Sequence, residues 1–232
     1  MTLSCSIMAH PKRAAMVDEL VGWLDRPVEV VWDQVNDRHD TGARAMAAFN
    51  PDCTHHMVVQ DDVVPCRDLI AGAEAALVHT PGDVPVSLYL GSVRPFQRLV
   101  VPALAEHGDS VSWMTMSGIY WGPAVILPTE SIPPMLEWYR TSRVQNYDRR
   151  MSTWFARRGV RCWYSWPSLV EHRGDESLSH QSGGVRRAHR SLGATESALD
   201  VDWTRGVAEL RATENADRRR QLDAKRAARK GR

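Results

Sequence analysis

The sequence predicts an α/β fold, a sheet built on parallel strands and covered by helices. Three observations carry this expectation. Short apolar runs alternate with stretches of helical periodicity from Leu3 to Leu90. Three of those apolar runs end abruptly in polar residues, at His10, Asp33 and Asp61-Asp62, and open α/β sheets place their ligands at the carboxyl ends of strands. The composition, 43% hydrophobic and 25% charged over 232 residues, is that of an ordinary globular chain with room for one large domain, or one domain and an appendage.

Taken in order, residues 3–9 are short, apolar and bounded by His10-Pro11, which predicts a first strand. Residues 12–25 carry Met16, Val17, Leu20, Val21 and Leu24 at helical spacing. A second buried strand is expected over 28–32, a polar loop over 34–41, and a short Ala-rich helix over 42–49. Met57-Val58-Val59 then run into Gln60-Asp61-Asp62 as the end of a buried strand, with Val63, Val64 and Pro65 closing the segment against further pairing. A helix over 68–79 and a strand over 86–90 complete the alternation. The second half is less regular. It predicts a helix over 96–106, and strands over 111–116 and 119–127 joined near Ser117-Gly118. Helices follow over 132–140 and 147–158, the first with Pro133-Pro134 in its opening turn and the second stopped by Gly159. A strand over 161–166 leads into Pro167-Ser168-Leu169-Val170-Glu171-His172. Residues 173–202, rich in Gly, Ser and His, read as a mobile loop, and 204–229 as a solvated helix or disordered tail, because strong helix formers there lack apolar partners.

Charge is unevenly spread. Residues 215–232 hold eight Lys/Arg against two Asp, although the whole chain has a net charge of only +1; a basic tail on an acidic body suggests a polyanionic partner for the tail. The four cysteines are scattered without a CxxC pair, which argues against zinc and disulfide frameworks. No apolar run approaches the ~20 residues of a membrane span, and no long apolar signal core is present, so the cytoplasm is the expected location and no membrane is expected as a partner.

Asp61-Asp62 is the stretch with most chemistry. Adjacent carboxylates repel unless a cation sits between them, and hard oxygen ligands at a strand end suit Mg²⁺ or Mn²⁺ with a phosphate substrate. The plainer alternative is a surface turn with two solvated Asp. His55-His56 is a poor metal pair, because adjacent strand residues point to opposite faces. His172 follows Leu169-Val170, as a core histidine would, but the trailing Arg173-Gly174 argues for exposure. Asp148 reads either as a helix cap or as a functional carboxylate.

The ordered set of His10-Pro11-Lys12-Arg13, Asp33, Gly42-Ala43-Arg44-Ala45, Gln60-Asp61-Asp62, Tyr147-Asp148 and Pro167-Ser168-Leu169-Val170-Glu171-His172 resembles glycosyltransferases of the GT-A class, most closely the short enzymes of actinobacterial phages. The resemblance spans residues 1–175. It implies a GT-A domain there, with a Rossmann-like mixed sheet flanked by helices, and a separate loop and basic tail over 176–232. It further implies a nucleotide-sugar-dependent transferase, with a UDP-hexose donor, Mn²⁺ or Mg²⁺ as cofactor, and the host cytoplasm as location. In that pattern Asp33 resembles the carboxylate that binds the nucleobase, and Arg44 the basic residue reaching the diphosphate or sugar. His10, Arg13 and Asp61 join them on the donor side. Asp62 and His172 resemble the protein ligands of the metal; the usual DxD spacing is missing, which leaves open which of Asp61 and Asp62 touches the ion, with Asp62 favoured. Asp148 resembles the general base of inverting members. Trp121, beside Gly118 and Gly122, is expected to line an acceptor pocket.

The acceptor implied by the phage enzymes is DNA carrying a hydroxylated base such as 5-hydroxymethylcytosine, which a duplex must flip out of its stack to expose. The basic tail and Arg149-Arg150 and Arg157-Arg158 fit a polyanion. A protein or saccharide hydroxyl is the alternative acceptor. A nucleotidyltransferase is a different reading of an acidic metal site on such a sheet, but His10-Pro11-Lys12-Arg13 lacks the glycines of a phosphate loop. A non-catalytic DNA-binding protein would not need Asp61-Asp62.

Overall fold

The computed structural model describes residues 1–92, 97–173 and 186–210. Its centre is an eight-stranded mixed sheet in the order β10-β6-β8-β5-β7-β3-β1-β2. The strands are β1 (Leu3–Ala9), β2 (Glu29–Trp32), β3 (His55–Gln60), β5 (Val86–Ser87), β6 (Val111–Met116), β7 (Ala124–Pro128), β8 (Cys162–Ser165) and β10 (Gly206–Glu209). A separate two-stranded ribbon pairs β4 (Val63–Pro65) with β9 (Val170–His172). Among the described residues six α-helices accompany them: α1 (Ala14–Trp23), α2 (Arg38–Ala47), α3 (Leu69–Leu77), α4 (Gln97–His107), α5 (Ile132–Thr141) and α6 (Tyr147–Ala156). No helix among the described residues is long and apolar enough to cross a membrane.

The expected α/β alternation is present. β2, β1 and β3 are parallel neighbours, and β1 and β3 are apolar because both faces are covered. In β3 the residues from His55 to Val59 are all buried. The register sets Ala9 beside Trp32 and Met8 beside Gln60, so the following residues His10, Asp33 and Asp61 emerge at one edge.

Several expectations are corrected. α2 begins at Arg38, inside the stretch read as loop, because Asp37 caps it by accepting from His39 N at 2.7 Å. The strands at 111–116 and 119–127 do not form a hairpin: β7 begins only at Ala124, and β8 and β5 lie between it and β6. Pro65 does not end pairing; β4 is a ribbon edge, where proline is tolerated, and it pairs antiparallel with β9. The boundary expected after residue 175 also moves. Residues 186–210 return to the body, where Ala188 bridges Gly91, Ser197 bridges Arg67, and β10 adds a parallel strand beside β6. The expected helix or tail beyond residue 210 lies outside the described residues.

The docking of residues 198–203 is tight enough to test. A Cβ placed on Gly72 of α3 would lie 2.1 Å from Ala198 Cβ and 2.9 Å from its carbonyl carbon, so backbone must move. Gly72→Ala is expected to destabilise the protein by about 1–3 kcal/mol through overpacking, despite the better helix propensity of alanine. A chemical-denaturation midpoint equal to or above that of the parent would show that this segment is not seated on α3.

Candidate functional site

The cleft at the carboxyl edge of β1, β2 and β3 has a volume of about 190 Å³. His10, Arg13, Asp33, Asp61, Asp62, Asp148 and His172, seven of the positions expected from the sequence, all line it. Six others complete the wall: Arg38, Thr41, Gln60, Asn146, Tyr147 and Arg186, beside the floor residues Met8 and Ala9.

The two adjacent carboxylates have different surroundings. Asp61 is fully engaged. Its Oδ2 accepts from His10 N at 2.7 Å and its Oδ1 from Arg13 Nη1 at 2.7 Å. Burial nevertheless raises its pKa, against the lowering effect of Arg13 and the His10 amide. Asp62 Oδ2 lies 2.8 Å from the same Arg13 nitrogen and 3.4 Å from His172 Nε2. Asp62 Oδ1 is buried and has no hydrogen-bond partner among the described residues. Arg13 therefore clamps the pair from one side and leaves one oxygen of Asp62 unspent.

His172 reaches this position through the ribbon. Val63 sits opposite His172 in the β4–β9 register, and Arg173 N donates to Asp62 O at 2.8 Å. The histidine is 5% exposed, which corrects the exposure expected from Arg173-Gly174. Its Nδ1 is 2.7 Å from Arg173 O. A carbonyl only accepts, so Nδ1 carries a proton, and in the neutral ring Nε2 then presents its lone pair; this tautomer is assigned from the hydrogen-bond network. A backbone carbonyl fixing the far ring nitrogen is the usual outer support of a ligating histidine.

This donor set fits a divalent ion. Asp62 Oδ1 and His172 Nε2 are an unpartnered hard oxygen and an imidazole lone pair on the same wall. Among the described residues no group of three His, Cys, Asp or Glu could hold a metal ion alone. Two protein ligands completed by substrate phosphate oxygens and water are the common arrangement for Mg²⁺-type sites.

Asp33 N donates to Ala9 O at 2.7 Å, and Asp33 Oδ1 accepts from Val35 N and Asp37 N. The carboxylate thus shapes the β2–α2 turn while lining the cleft. Asp148 lines the same cleft. It is not the helix cap; Asn146 holds that position and Asp148 is the second residue of α6. Its Oδ1 accepts from Arg149 N at 2.7 Å. Loss of water raises its pKa to about 6, with Arg149 and Arg186 pulling the other way. Gly122 makes room for it, since a Cβ there would sit 3.3 Å from Asp148 Cβ. The Tyr147 hydroxyl is a second buried polar atom of the cleft without a partner among the described residues.

Two expected positions fall elsewhere. Arg44 is not part of the cleft wall; it donates to Asp40 Oδ2 at 2.8 Å and to Trp32 O at 2.9 Å. Arg38, one helical turn and a half earlier, takes the place facing the cleft. Trp121 is 6% exposed and packs edge-on against Tyr120 and Tyr164, so it is a core residue and not a wall of an acceptor pocket. The glycine that makes room for the indole is Gly91, where a Cβ would lie 2.5 Å from the Trp121 indole nitrogen, whereas Gly118 lies against Ser152 and Gly122 against Asp148 and Tyr147. His56 is structural as expected, held by Ser4, Ser6 and Ala45 and pushed down to about 4 by burial.

Arg38 was hidden in the polar stretch read as loop; Asp37 as a cap was the signal that places it on a helix. Arg186 follows a Gly/Ser-rich stretch and carried no local signal. No protein-family model matches this sequence, and no curated protein sequence matches it.

Proposed function

We propose that the protein is a metal-dependent glycosyltransferase of GT-A type, moving a sugar from a nucleotide-sugar donor such as a UDP-hexose to a hydroxyl acceptor. The observation that carries this reading is the pairing of Asp62 Oδ1, buried without a partner among the described residues, with Nε2 of His172, 3.4 Å from Asp62 Oδ2, in a cleft also lined by a half-buried carboxylate, Asp148. Asp62 and His172 suit a metal diphosphate, and Asp148 suits proton removal.

Asp62 and His172 would hold the ion, which when bound neutralises charge developing on the diphosphate. Arg13 keeps the two carboxylates oriented and lowers their mutual repulsion. Arg38 and Arg186 line the cleft and have no salt bridge among the described residues, so both are suited to phosphate oxygens. Asp148 takes the acceptor proton as the acceptor oxygen bonds to the anomeric carbon and the bond from that carbon to the diphosphate breaks. Attack on the face opposite the leaving group inverts the anomeric centre. The loop after β1 argues against a nucleotidyltransferase, since His10 caps a turn over Pro11–Arg13 and no glycine-rich phosphate cradle is there.

The acceptor proposed from the resemblance to phage enzymes, with the basic residues 215–232 and the arginine pairs 149–150 and 157–158 in support, is a hydroxymethylated cytosine in DNA. Incubation with a panel of nucleotide sugars, Mn²⁺ and such DNA, followed by nucleoside mass spectrometry, should show a glycosylated base, and EDTA should prevent it. Donor consumption without DNA modification would move the acceptor to a protein or saccharide hydroxyl. Failure to consume any nucleotide sugar would end the transferase reading.

A further inference from the structure

Arginine is used in two ways in this molecule. Eight of the described arginines form salt bridges with Asp or Glu. None of the six between residues 140 and 158 does so, and Asp148 is the one acidic residue in that interval. Arg140, Arg143, Arg149, Arg157 and Arg158 are exposed.

Three of the six are ordered by aromatic faces instead of carboxylates. Arg150 lies over Tyr139, Arg157 over Trp138 and Arg158 over Trp154, with guanidinium carbons 5.1, 5.4 and 3.7 Å from the ring centroids. Arg150 and Arg158 also donate to the carbonyls of Val144 and Trp154. Such contacts hold a guanidinium in place and leave its charge uncompensated. The ridge begins at the cleft, because α6 opens with Tyr147 and Asp148, both lining it. From there it runs along the helix for about 15 Å.

We propose that this arginine-rich surface, from the end of α5 through α6 to Arg158, is a docking surface for the sugar–phosphate backbone of a nucleic acid, placing an acceptor nucleotide at Asp148. The inference rests on the transferase reading of the cleft. A planar, permanently charged guanidinium matches phosphate with paired donors. An anionic membrane fits less well, because interfacial binding needs apolar side chains to insert and none of the exposed large hydrophobic residues lies between 132 and 161.

The test compares the full chain with the triple variant Arg140→Gln, Arg143→Gln, Arg157→Gln, none of which lines the cleft. Binding of a labelled DNA duplex is followed by fluorescence anisotropy over a salt series. The parent should weaken steeply with salt. The variant should bind at least about tenfold more weakly at low salt, with a log–log slope smaller by about 2–3, near 0.9 for each lost phosphate contact. The loss should be alike for all sequences, because phosphate contacts do not read bases. Hydrolysis of the nucleotide sugar without acceptor should be unchanged, which shows that fold and donor site are intact. Equal affinity and slope for variant and parent would overturn the proposal. So would binding of the parent to phosphatidylserine vesicles but not to DNA. If the parent binds DNA as expected yet consumes no nucleotide sugar, the transferase reading fails and the ridge stands as a nucleic-acid surface.

Discussion

Asp62→Asn is expected to abolish sugar transfer, lowering it by about a thousandfold or more, while the protein stays folded. The magnitude follows from losing a metal ligand whose contribution to leaving-group stabilisation is several kcal/mol, with each 1.4 kcal/mol worth about tenfold. The fold should survive because Arg13 keeps its bond to Asp61 Oδ1, and the carbonyl oxygen of the new amide can go on accepting from Arg13 in the place of Asp62 Oδ2. Asp61→Asn should behave in the opposite way. That carboxylate accepts from both the His10 amide and Arg13, so its loss should cost on the order of 2 kcal/mol of stability and reduce activity through misplacement of Asp62. Measuring Mn²⁺-dependent donor binding by calorimetry alongside thermal melting separates the two. Full activity of Asp62→Asn, or of the parent in excess EDTA, would remove the metal from the mechanism.

That contrast between adjacent aspartates marks the limit of what the sequence could tell. The strand end, the acidic pair and the shared edge with His10 and Asp33 were legible because β1 and β3 are long, buried and apolar, and such strands announce where they stop. Which carboxylate is free was not legible, because it depends on Arg13 folding back across both. The β4–β9 ribbon was equally hidden. Its strands have three residues each, too few to show a period, and Pro65 pointed the wrong way. β10 reads Gly-Val-Ala-Glu with a single buried residue, so no apolar run reveals it. Arg44 shows a different failure. Its i,i+4 partner Asp40 lay in the stretch read as loop, which hid the ion pair, and its second bond to Trp32 O belongs to the tertiary structure. Trp121 beside glycines fits a pocket or tight packing equally well, and its tertiary neighbours Tyr120, Tyr164 and Gly91 decide for packing.

Asp148→Asn is expected to lower kcat by about 10²–10⁴ with little change in donor affinity, because the carboxylate serves the acceptor side. Its raised pKa adds a pH signature. In the parent, kcat should rise with pH through an apparent pKa of about 6, as the base loses its proton, and the Asn variant should lack that limb. Stability should follow the reverse trend. An unfolded aspartate titrates near 3.8 and the folded one near 6, so between these values the native state holds more protons than the unfolded state. Stability then falls as pH rises from about 4 to about 6 and stays lower above that range. Replacing Asp148 by Asn removes this cost, so the variant should melt at the same temperature as the parent or higher at pH 8, with the advantage shrinking towards pH 4. A group kept only for structure would give the opposite pair of results: kcat retained and melting temperature lowered at pH 8. Melting curves and pH–rate profiles on the same two proteins decide between a desolvated base and a structural acid, since a base of this kind is held at the expense of the fold.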